Sequence, residues 1–189
     1  MSNTKAEPLN GINKKPDSAL TDAATSQRDE ILSFHLAEEE YAVDILRVQE
    51  IRGWGNITPI PRMPDYVKGV INLRGAVVPV IDLRLRFGLQ PIEYGPTTVI
   101  IIVAVFAEQK KRDMGIVVDA VSDVYALESD EIKPPPDFGN NVEGSFLRGL
   151  ITKDERMIIV LDIDRVLNSG ELALLRHMQQ SNSSSNDGQ

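Results

Sequence analysis

The sequence of Lys68–Phe87 is K-G-V-I-N-L-R-G-A-V-V-P-V-I-D-L-R-L-R-F, and it predicts a strand, a tight turn and a second strand. Two runs rich in Val and Ile flank the pair Arg74-Gly75, and such residues favour extended backbone. Glycine tolerates the positive φ that a tight reversal requires. Pro79 cannot donate a backbone hydrogen bond, so the second strand should lie at a sheet edge or carry a bulge at this residue.

The end of the same stretch predicts a short helix. Asp82 can cap a helix at Leu83–Phe87, which Gly88 then ends.

Arg74 is the unusual residue, because it places a long cation at the tip of an apolar hairpin. Such a side chain is usually just solvated, but a binding role for Arg74 is a second interpretation.

Composition limits the classes of function. The 189 residues are 42% hydrophobic, which suits one domain or two small ones. The net charge of −8 argues against a nucleic-acid partner. There is no cysteine, so disulfides, thiolate catalysis and cysteine-based zinc sites are excluded. The N-terminus lacks the apolar core of a signal peptide, and the longest apolar run, Val99–Ala107, is too short to span a bilayer. We therefore expect a soluble, cytoplasmic protein without membrane insertion.

The two ends of the chain differ from its middle. Residues 1–28 and 179–189 are polar and have no apolar periodicity, so we expect disordered tails around a folded part at residues 29–178. Within that part, Asp44–Arg52 fits either a short helix or an irregular strand. Ala107–Asp113 is predicted to be a charged loop, and Asp164–Gln179 is predicted to be a helix.

An internal repeat predicts the architecture. Gly69 precedes Asp82 by 13 residues, and Gly149 precedes Asp162 by the same 13. Each half contains five short strands, which can close into a small barrel without exposed edges. We therefore predict a mainly β fold of two five-stranded barrels packed together, with short helices and a C-terminal helix. Barrel one would comprise about 29–91 plus the helix 164–178, and barrel two about 97–163.

The chain shows no pattern typical of catalysis or cofactor binding. It lacks a phosphate-binding loop, a dinucleotide motif and a zinc-protease motif. The pairs Asp119/Asp123 and Asp162/Asp164 could support general acid–base chemistry, so a small hydrolase is an alternative. Their places in the repeat favour structural positions at strand ends instead. We predict no catalytic residues, no cofactor and no metal.

Four segments resemble the CheW-like domain family of bacterial chemotaxis coupling proteins. They are E-E-Y-A-V-D-I-L-R-V-Q-E-I-R-G at 39–53, K-G-V-I-N-L-R-G-A-V-V-P-V-I-D-L-R at 68–84, G-I-V-V-D-A-V-S-D-V at 115–124 and R-M-I-I-V-L-D-I-D-R-V-L at 156–167. The resemblance covers residues 30 to about 176. It implies that the two barrels are SH3-like and that the protein is a non-catalytic adaptor.

The resemblance also implies partners and a binding site. The partners would be the cytoplasmic tips of chemoreceptors, the regulatory domain of the histidine kinase CheA and other CheW-like domains in rings, with recruitment to membrane-associated receptor arrays. In the family, the receptor tip lies in a groove between the barrels. The matching positions here are Glu50, Gly69, Asn72, Arg74, Gly75, Val99 and Val124. The chain departs from the family pattern in its N-terminal tail, at Glu108–Asp113 and at Asp137–Ser145.

Overall fold

Ten strands form two five-stranded sheets. A computed structural model describes residues 29–107, 110–128, 130–135 and 146–167. Sheet A has the strand order β8-β1-β2-β10-β9, and sheet B has the order β3-β6-β7-β5-β4. The strands are β1 Asp29–Leu36, β2 Glu39–Asp44, β3 Val48–Gly53, β4 Val67–Leu73, β5 Ala76–Asp82, β6 Val99–Ala107, β7 Lys110–Val118, β8 Ala120–Leu127, β9 Leu147–Lys153 and β10 Arg156–Leu161. The predicted mainly β fold with two five-stranded units is confirmed.

The helices are short. A 3₁₀ turn at Ile45–Arg47 joins β2 to β3, which resolves the ambiguous segment Asp44–Arg52 into one helical turn followed by a strand. Helix α1 spans Leu83–Arg86, and helix α2 spans Ile163–Leu167. The rest of the predicted C-terminal helix and both predicted tails lie outside the described residues. No helix within the described ranges has the length and apolar character needed to cross a membrane.

Strand β5 lies inside sheet B, so the expectation of an edge strand at Pro79 is wrong. β5 pairs antiparallel with β4 and parallel with β7. Pro79 lies opposite Val70, whose backbone N–H and C=O both bond to Thr58, so β4 needs no donor from the proline. The ladder with β7 begins at Val80, one residue later. The bulge in this hairpin lies in β4, between Val67 and Gly69.

The internal repeat appears as a matched pair of structures. The sheet orders correspond when β1 and β2 are equated with β6 and β7, and β3, β4 and β5 with β8, β9 and β10. The backbone contacts also correspond. The N–H of Asp82 donates to the C=O of Tyr66, and the N–H of Asp162 donates to the C=O of Phe146; donor and acceptor in the second pair each lie 80 residues after those in the first. Asp82 caps α1 through the N–H of Leu85, and Asp162 accepts the N–H of Arg165.

The assignment of strands to barrels by sequence position is wrong. Strands β1 and β2 belong to the first half of the chain but pair with β8, β9 and β10 of the second. Strands β6 and β7 pair in turn with β3, β4 and β5. The two halves therefore exchange their first hairpins. The chain passes from sheet A to sheet B after β2, through the short connection Ile45–Arg47.

The largest hydrophobic cluster lies between the sheets. Its members come from strands of both, with Leu32, Phe34 and Val43 from sheet A and Ile101, Val103 and Ile116 from sheet B. Each sheet also has a smaller hydrophobic cluster of its own. The cluster of sheet B includes Val80 and Ile102, and that of sheet A includes Ile31 and Ile158. The predicted packing of two small units through a shared apolar core is therefore observed.

Trp54 packs against the hydrophobic cluster of sheet B. Its ring centroid lies 3.9 Å from that of Tyr94, and both pack against the sheet B cluster with Ile57.

The predicted loop at Ala107–Asp113 is wrong over Lys110–Asp113, because these residues form the start of β7 and pair with β6. Local charge suggested a loop, whereas cross-strand pairing decides that these residues are extended.

Candidate functional site

The β4–β5 turn presents Arg74 to solvent. Arg74 and Gly75 have φ values of 51° and 89°, which are typical of the two-residue turn that suits the twist of a hairpin. The side-chain Oδ1 of Asn72 accepts the N–H of Gly75 at 2.8 Å, which stabilises this turn. Three of the predicted site residues are therefore one structural unit, in which Asn72 and Gly75 set the position of Arg74.

Arg74 forms an ion pair with Glu50. Its Nη2 lies 2.8 Å from Oε2 of Glu50, while Nε of Arg52 lies 3.6 Å from Oε1 of the same carboxylate. Glu50 belongs to β3 and Arg74 follows β4, and these are the two outermost strands of sheet B. The sheet is thus curled enough for side chains from its opposite edges to meet. The Arg74 side chain remains 80% exposed and that of Glu50 27%, so the pair is open to a partner.

Gly69 supports the scaffold of the site. Its φ is +138°, and a Cβ at this position would overlap the carbonyl oxygen of Thr58 and lie 2.9 Å from Cα of Pro59. Thr58 exchanges two backbone hydrogen bonds with Val70, each 2.9 Å long. Gly69 therefore lets the connector after β3 pack directly on β4. The structure assigns it a contact within the chain.

Val99 belongs to sheet B and Val124 to sheet A. Both lie on the side of their sheet that faces the largest hydrophobic cluster, which lies between the sheets. Val99 packs against that cluster, and Val124 lies opposite Leu32, one of its buried members. Ile51 lies opposite Ile101, another member, and is 44% exposed, while Val124 is 55% exposed. Cross-strand partners have side chains on one face of a sheet, so these apolar side chains border the space between the sheets. Ile51 was missed by the sequence reasoning, although its alternation with Glu50 in β3 was available as a signal.

The paired aspartates have structural partners. Asp119 accepts two hydrogen bonds from the Arg84 guanidinium and one from the N–H of Ala37, and this hydrogen bonding raises the pKa of Arg84. Asp164 accepts from Arg47 and from the N–H of Phe106. The Asp119 bonds join α1, which follows β5 of sheet B, to Ala37 between β1 and β2 of sheet A. The Asp164 bonds join α2, which follows β10 of sheet A, to β6 of sheet B. Among the residues that the structure describes, no group of His, Asp and Glu is arranged to hold a metal ion.

Of the other aspartates, Asp82 caps helix α1, whereas Asp123 lies within strand β8. Oδ1 of Asp82 accepts the N–H of Leu85, and Oδ2 accepts the hydroxyl of Tyr94 at 2.6 Å. Burial, followed by this hydrogen bond, raises the pKa of Tyr94 above its ordinary value of 10.0. The Asp123 carboxylate accepts a hydrogen bond from the neighbouring Ser122 hydroxyl. This geometry favours support of the fold over acid–base chemistry.

Comparisons with known proteins agree with this architecture. The family model described as the CheW-like domain matches residues 30–171. The chain belongs to the CheW-like domain family. The chemotaxis protein CheW of Klebsiella aerogenes is 45% identical over 152 residues, which cover 80% of this chain and 89% of that protein. The CheW of Rhizobium meliloti is 41% identical over 155 residues, covering 80% of this chain and 97% of that protein.

A solved CheW structure has the same fold. The crystal structure of the scaffolding protein TtCheW from Thermoanaerobacter tengcongensis superposes with a TM-score of 0.66 and 35% identity, and it covers 76% of this chain and 95% of that one. Membership of the CheW-like domain family confirms the resemblance drawn from the sequence motifs. It also makes the chain a member of a family of scaffolding adaptors, and the hydrolase alternative has no support.

Proposed function

We propose that this protein is a chemotaxis coupling protein that binds the cytoplasmic tip of chemoreceptors and the regulatory domain of the kinase CheA. It performs no catalysis and brings the two partners together in signalling arrays at the membrane. The support is its family membership, since the relatives above are named as chemotaxis and scaffolding proteins. The observation that carries the receptor-binding site is the exposed ion pair between Glu50 and Arg74.

The receptor site would combine this charged pair with an apolar border. A helical receptor tip would lie between the sheets, against Ile51, Val99 and Val124, with the ion pair at one side. Ile51 and Val124 are exposed apolar side chains, which a partner would remove from water. Interfaces commonly bury such an apolar centre and keep charged groups at the rim.

The Glu50–Arg74 pair is well suited to orient a partner. One guanidinium nitrogen of Arg74 contacts Glu50, and a guanidinium carries five N–H donors in total, so others face outward. Because Glu50 and the Asn72-supported turn already hold the cation, little side-chain freedom remains to be lost on binding. Arg74 would donate to a carboxylate or to helix-terminal carbonyls of the receptor, with Glu50 fixing its direction.

The kinase would bind elsewhere. The paired architecture gives the protein two five-stranded sheets of corresponding strand order. A kinase domain of related fold, or another CheW-like domain, would pack one of its own sheets against one of these sheets. Repetition of this contact would build rings. The receptor groove would remain open in such an assembly because it lies between the sheets.

Charge reversal at Arg74 tests the receptor site. We expect Arg74→Glu to weaken binding of a receptor-tip fragment by roughly 2–4 kcal/mol, because Glu50 would then face a second carboxylate in a partly desolvated interface. Binding of the CheA regulatory domain should persist. Folding should change by less than about 1 kcal/mol, since exposed ion pairs contribute little to stability.

The control for net charge is Lys133→Glu, which reverses an exposed cation in the other part of the molecule. Titrations against the receptor fragment and the kinase domain, with thermal melts of each variant, would measure all three effects. Unchanged receptor affinity together with reduced kinase affinity would show that the groove assignment is wrong. A collapsed melt for Arg74→Glu would show that the residue is structural.

A further inference from the structure

The β1–β2 hairpin lies in sheet A between strands that come from the other half of the chain. Strands β8, β9 and β10 form the rest of this sheet, and the hairpin lies between β8 and β10. It pairs antiparallel with β8 from Asp29/Leu127 to His35/Ala120, and it pairs parallel with β10 over three rungs. We call the space between β8 and β10 the hairpin seat.

The contacts within the hairpin seat join the hairpin to later parts of the chain. The N–H of Ala37 donates to Asp119 at 2.7 Å, and the Ser33 hydroxyl donates to the C=O of Asp123 at 3.1 Å. Apolar side chains of the hairpin belong to two hydrophobic clusters with strands of the second half. A second copy of the chain carries the same partners, so a hairpin placed in the seat of that copy would make all of these contacts again.

Glu40 weakens the binding of the hairpin to its seat. Its side chain is only 4% exposed, and within the part of the chain that the structure describes neither carboxylate oxygen accepts a hydrogen bond. Nη1 of Arg156, on β10, lies 3.4 Å from Oε2 of Glu40. Burial of a carboxylate without hydrogen bonds is unfavourable, since the group loses its hydration. This residue therefore lowers the free energy needed to release the hairpin.

The connection from the hairpin to sheet B is short and poorly covered. It consists of Ile45–Arg47, none of which is buried, and Leu46 is 81% exposed. The flanking residues Asp44 and Val48 both have ψ angles of 124°, which are typical of extended backbone. Only the three residues between them fold back, so their extension would join β2 and β3 into one long strand. Short connections of this kind favour swapping of the element that they carry.

We propose that the hairpin seat accepts the β1–β2 hairpin of a second copy of this chain, which gives a reciprocally swapped dimer. Each chain would extend Ile45–Arg47 and place its hairpin between β8 and β10 of the other chain. The two extended connections would lie side by side at the two-fold axis, where each Leu46 side chain would be covered by its counterpart. Both sheets of each unit would keep all five strands.

Arg47 opposes the swap because it holds the connection in its folded form. Its Nη2 lies 2.7 Å from Oδ2 of Asp164, and its Nη1 donates to the C=O of Ala104 at 3.2 Å. The guanidinium also lies 4.6 Å from the centroid of the Phe106 ring. Extension of the connection would carry Arg47 away from these partners, so its contacts favour the monomer.

Contacts of the seat and contacts of the connection therefore have different effects. Seat contacts are the same in the monomer and in the swapped dimer, so a variant that weakens them changes the rate of interconversion and leaves the equilibrium unchanged. Contacts of the folded connection exist only in the monomer, so a variant that removes them shifts the equilibrium towards the dimer. An ordinary surface dimer would not separate the two classes of variant in this way.

The first test measures the mass of the full chain by light scattering after refolding at increasing protein concentration. We expect a second species of twice the monomer mass, whose fraction rises with concentration. Arg47→Gln should raise the association constant about tenfold, because each of the two chains loses the ion pair that anchors its connection. Arg156→Gln is the matched control at the seat. It should leave the association constant unchanged but speed the interconversion about tenfold, because it leaves Glu40 without its cation.

Cysteine cross-linking distinguishes a swapped dimer from other dimers, since the natural chain has no cysteine. Glu30 of β1 and Ala126 of β8 are cross-strand partners with exposed side chains, and such a pair lies within disulfide reach. Chains carrying Glu30→Cys are refolded together with chains carrying Ala126→Cys, and we expect a disulfide between the two. The control pair combines Glu30→Cys with Val77→Cys, an exposed residue of sheet B, and should form fewer cross-links.

Three results would overturn the proposal. A monomer at every concentration would show that the seat accepts only the hairpin of its own chain. A dimer in which Glu30→Cys and Ala126→Cys cross-link no better than the control pair would be held together by an outer surface. Insertion of Gly-Ser-Gly after Leu46 should lower the association constant, because a longer connection folds back more easily. An association constant that responds neither to this insertion nor to Arg47→Gln would show that the connection does not act as a hinge.

Discussion

Replacement of Gly69 by alanine is the sharpest test of how the site is supported. Family resemblance places Gly69 among the residues that contact the receptor, whereas the structure packs it against the connector after β3. A Cβ on Gly69 would lie 2.8 Å from the carbonyl carbon of Thr58 and 2.9 Å from Cα of Pro59. Both are backbone atoms, so the clash cannot be relieved by a change of side-chain rotamer.

The expected loss of stability follows from two costs. The φ of +138° is unfavourable for alanine, and such strained conformations cost about 1–3 kcal/mol. Moving the connector away would also break the two hydrogen bonds between Thr58 and Val70, which contribute about 1 kcal/mol each. We therefore expect Gly69→Ala to lower the free energy of unfolding by about 3–5 kcal/mol. That is a large part of the stability of an ordinary domain, about 5–15 kcal/mol.

Two other glycines serve as controls. Gly75 has a φ of +89°, but a Cβ there would meet no atom within 4 Å, so Gly75→Ala should cost only about 1 kcal/mol. Gly149 occupies the repeat-matched position, where a Cβ would lie 2.5 Å from Cγ2 of Ile132 and 2.7 Å from O of Lys133. Gly149→Ala should therefore be destabilising as well. Urea unfolding followed by the fluorescence of Trp54 would measure all three variants, and an equal cost for Gly69→Ala and Gly75→Ala would refute the packing argument.

Three further predictions concern the fold. The fragment 97–163 should be unfolded or aggregated, because it carries strands of both sheets but completes neither, and a dispersed amide spectrum would contradict the hairpin exchange. Truncation to residues 29–178 should leave the unfolding midpoint nearly unchanged, whereas a loss of several degrees would show that a tail packs on the fold. Tyr94→Phe should cost about 1–2 kcal/mol at neutral pH, since it leaves an oxygen of Asp82 without its donor. Because the folded chain keeps the Tyr94 proton above pH 10.0 while the unfolded chain loses it, wild-type stability should fall there, by about 1.4 kcal/mol per pH unit for this group. Alkaline urea titrations should show a shallower decline for the variant.

The sequence by itself determined the local elements and the family. Runs of Val and Ile around Arg74-Gly75 are enough to specify a hairpin, because β preference and turn geometry act between neighbouring residues. Equal spacing from Gly69 to Asp82 and from Gly149 to Asp162 revealed the repeat, and the structure contains it as matched turns, caps and backbone contacts. The motif around Glu50 and Arg74 was enough to select two residues that meet in space.

Only the tertiary structure decided which strands share a sheet. Many Val- and Ile-rich strands present the same local pattern, so the choice of partner depends on contacts between residues far apart in the chain, such as the pairing of β2 with β10. For the same reason the position of Pro79 and the extended conformation of Lys110–Asp113 were misjudged from local signals. The Glu50–Arg74 ion pair likewise exists only because sheet B curls until its two edges meet, and that curvature is a property of the assembled sheet.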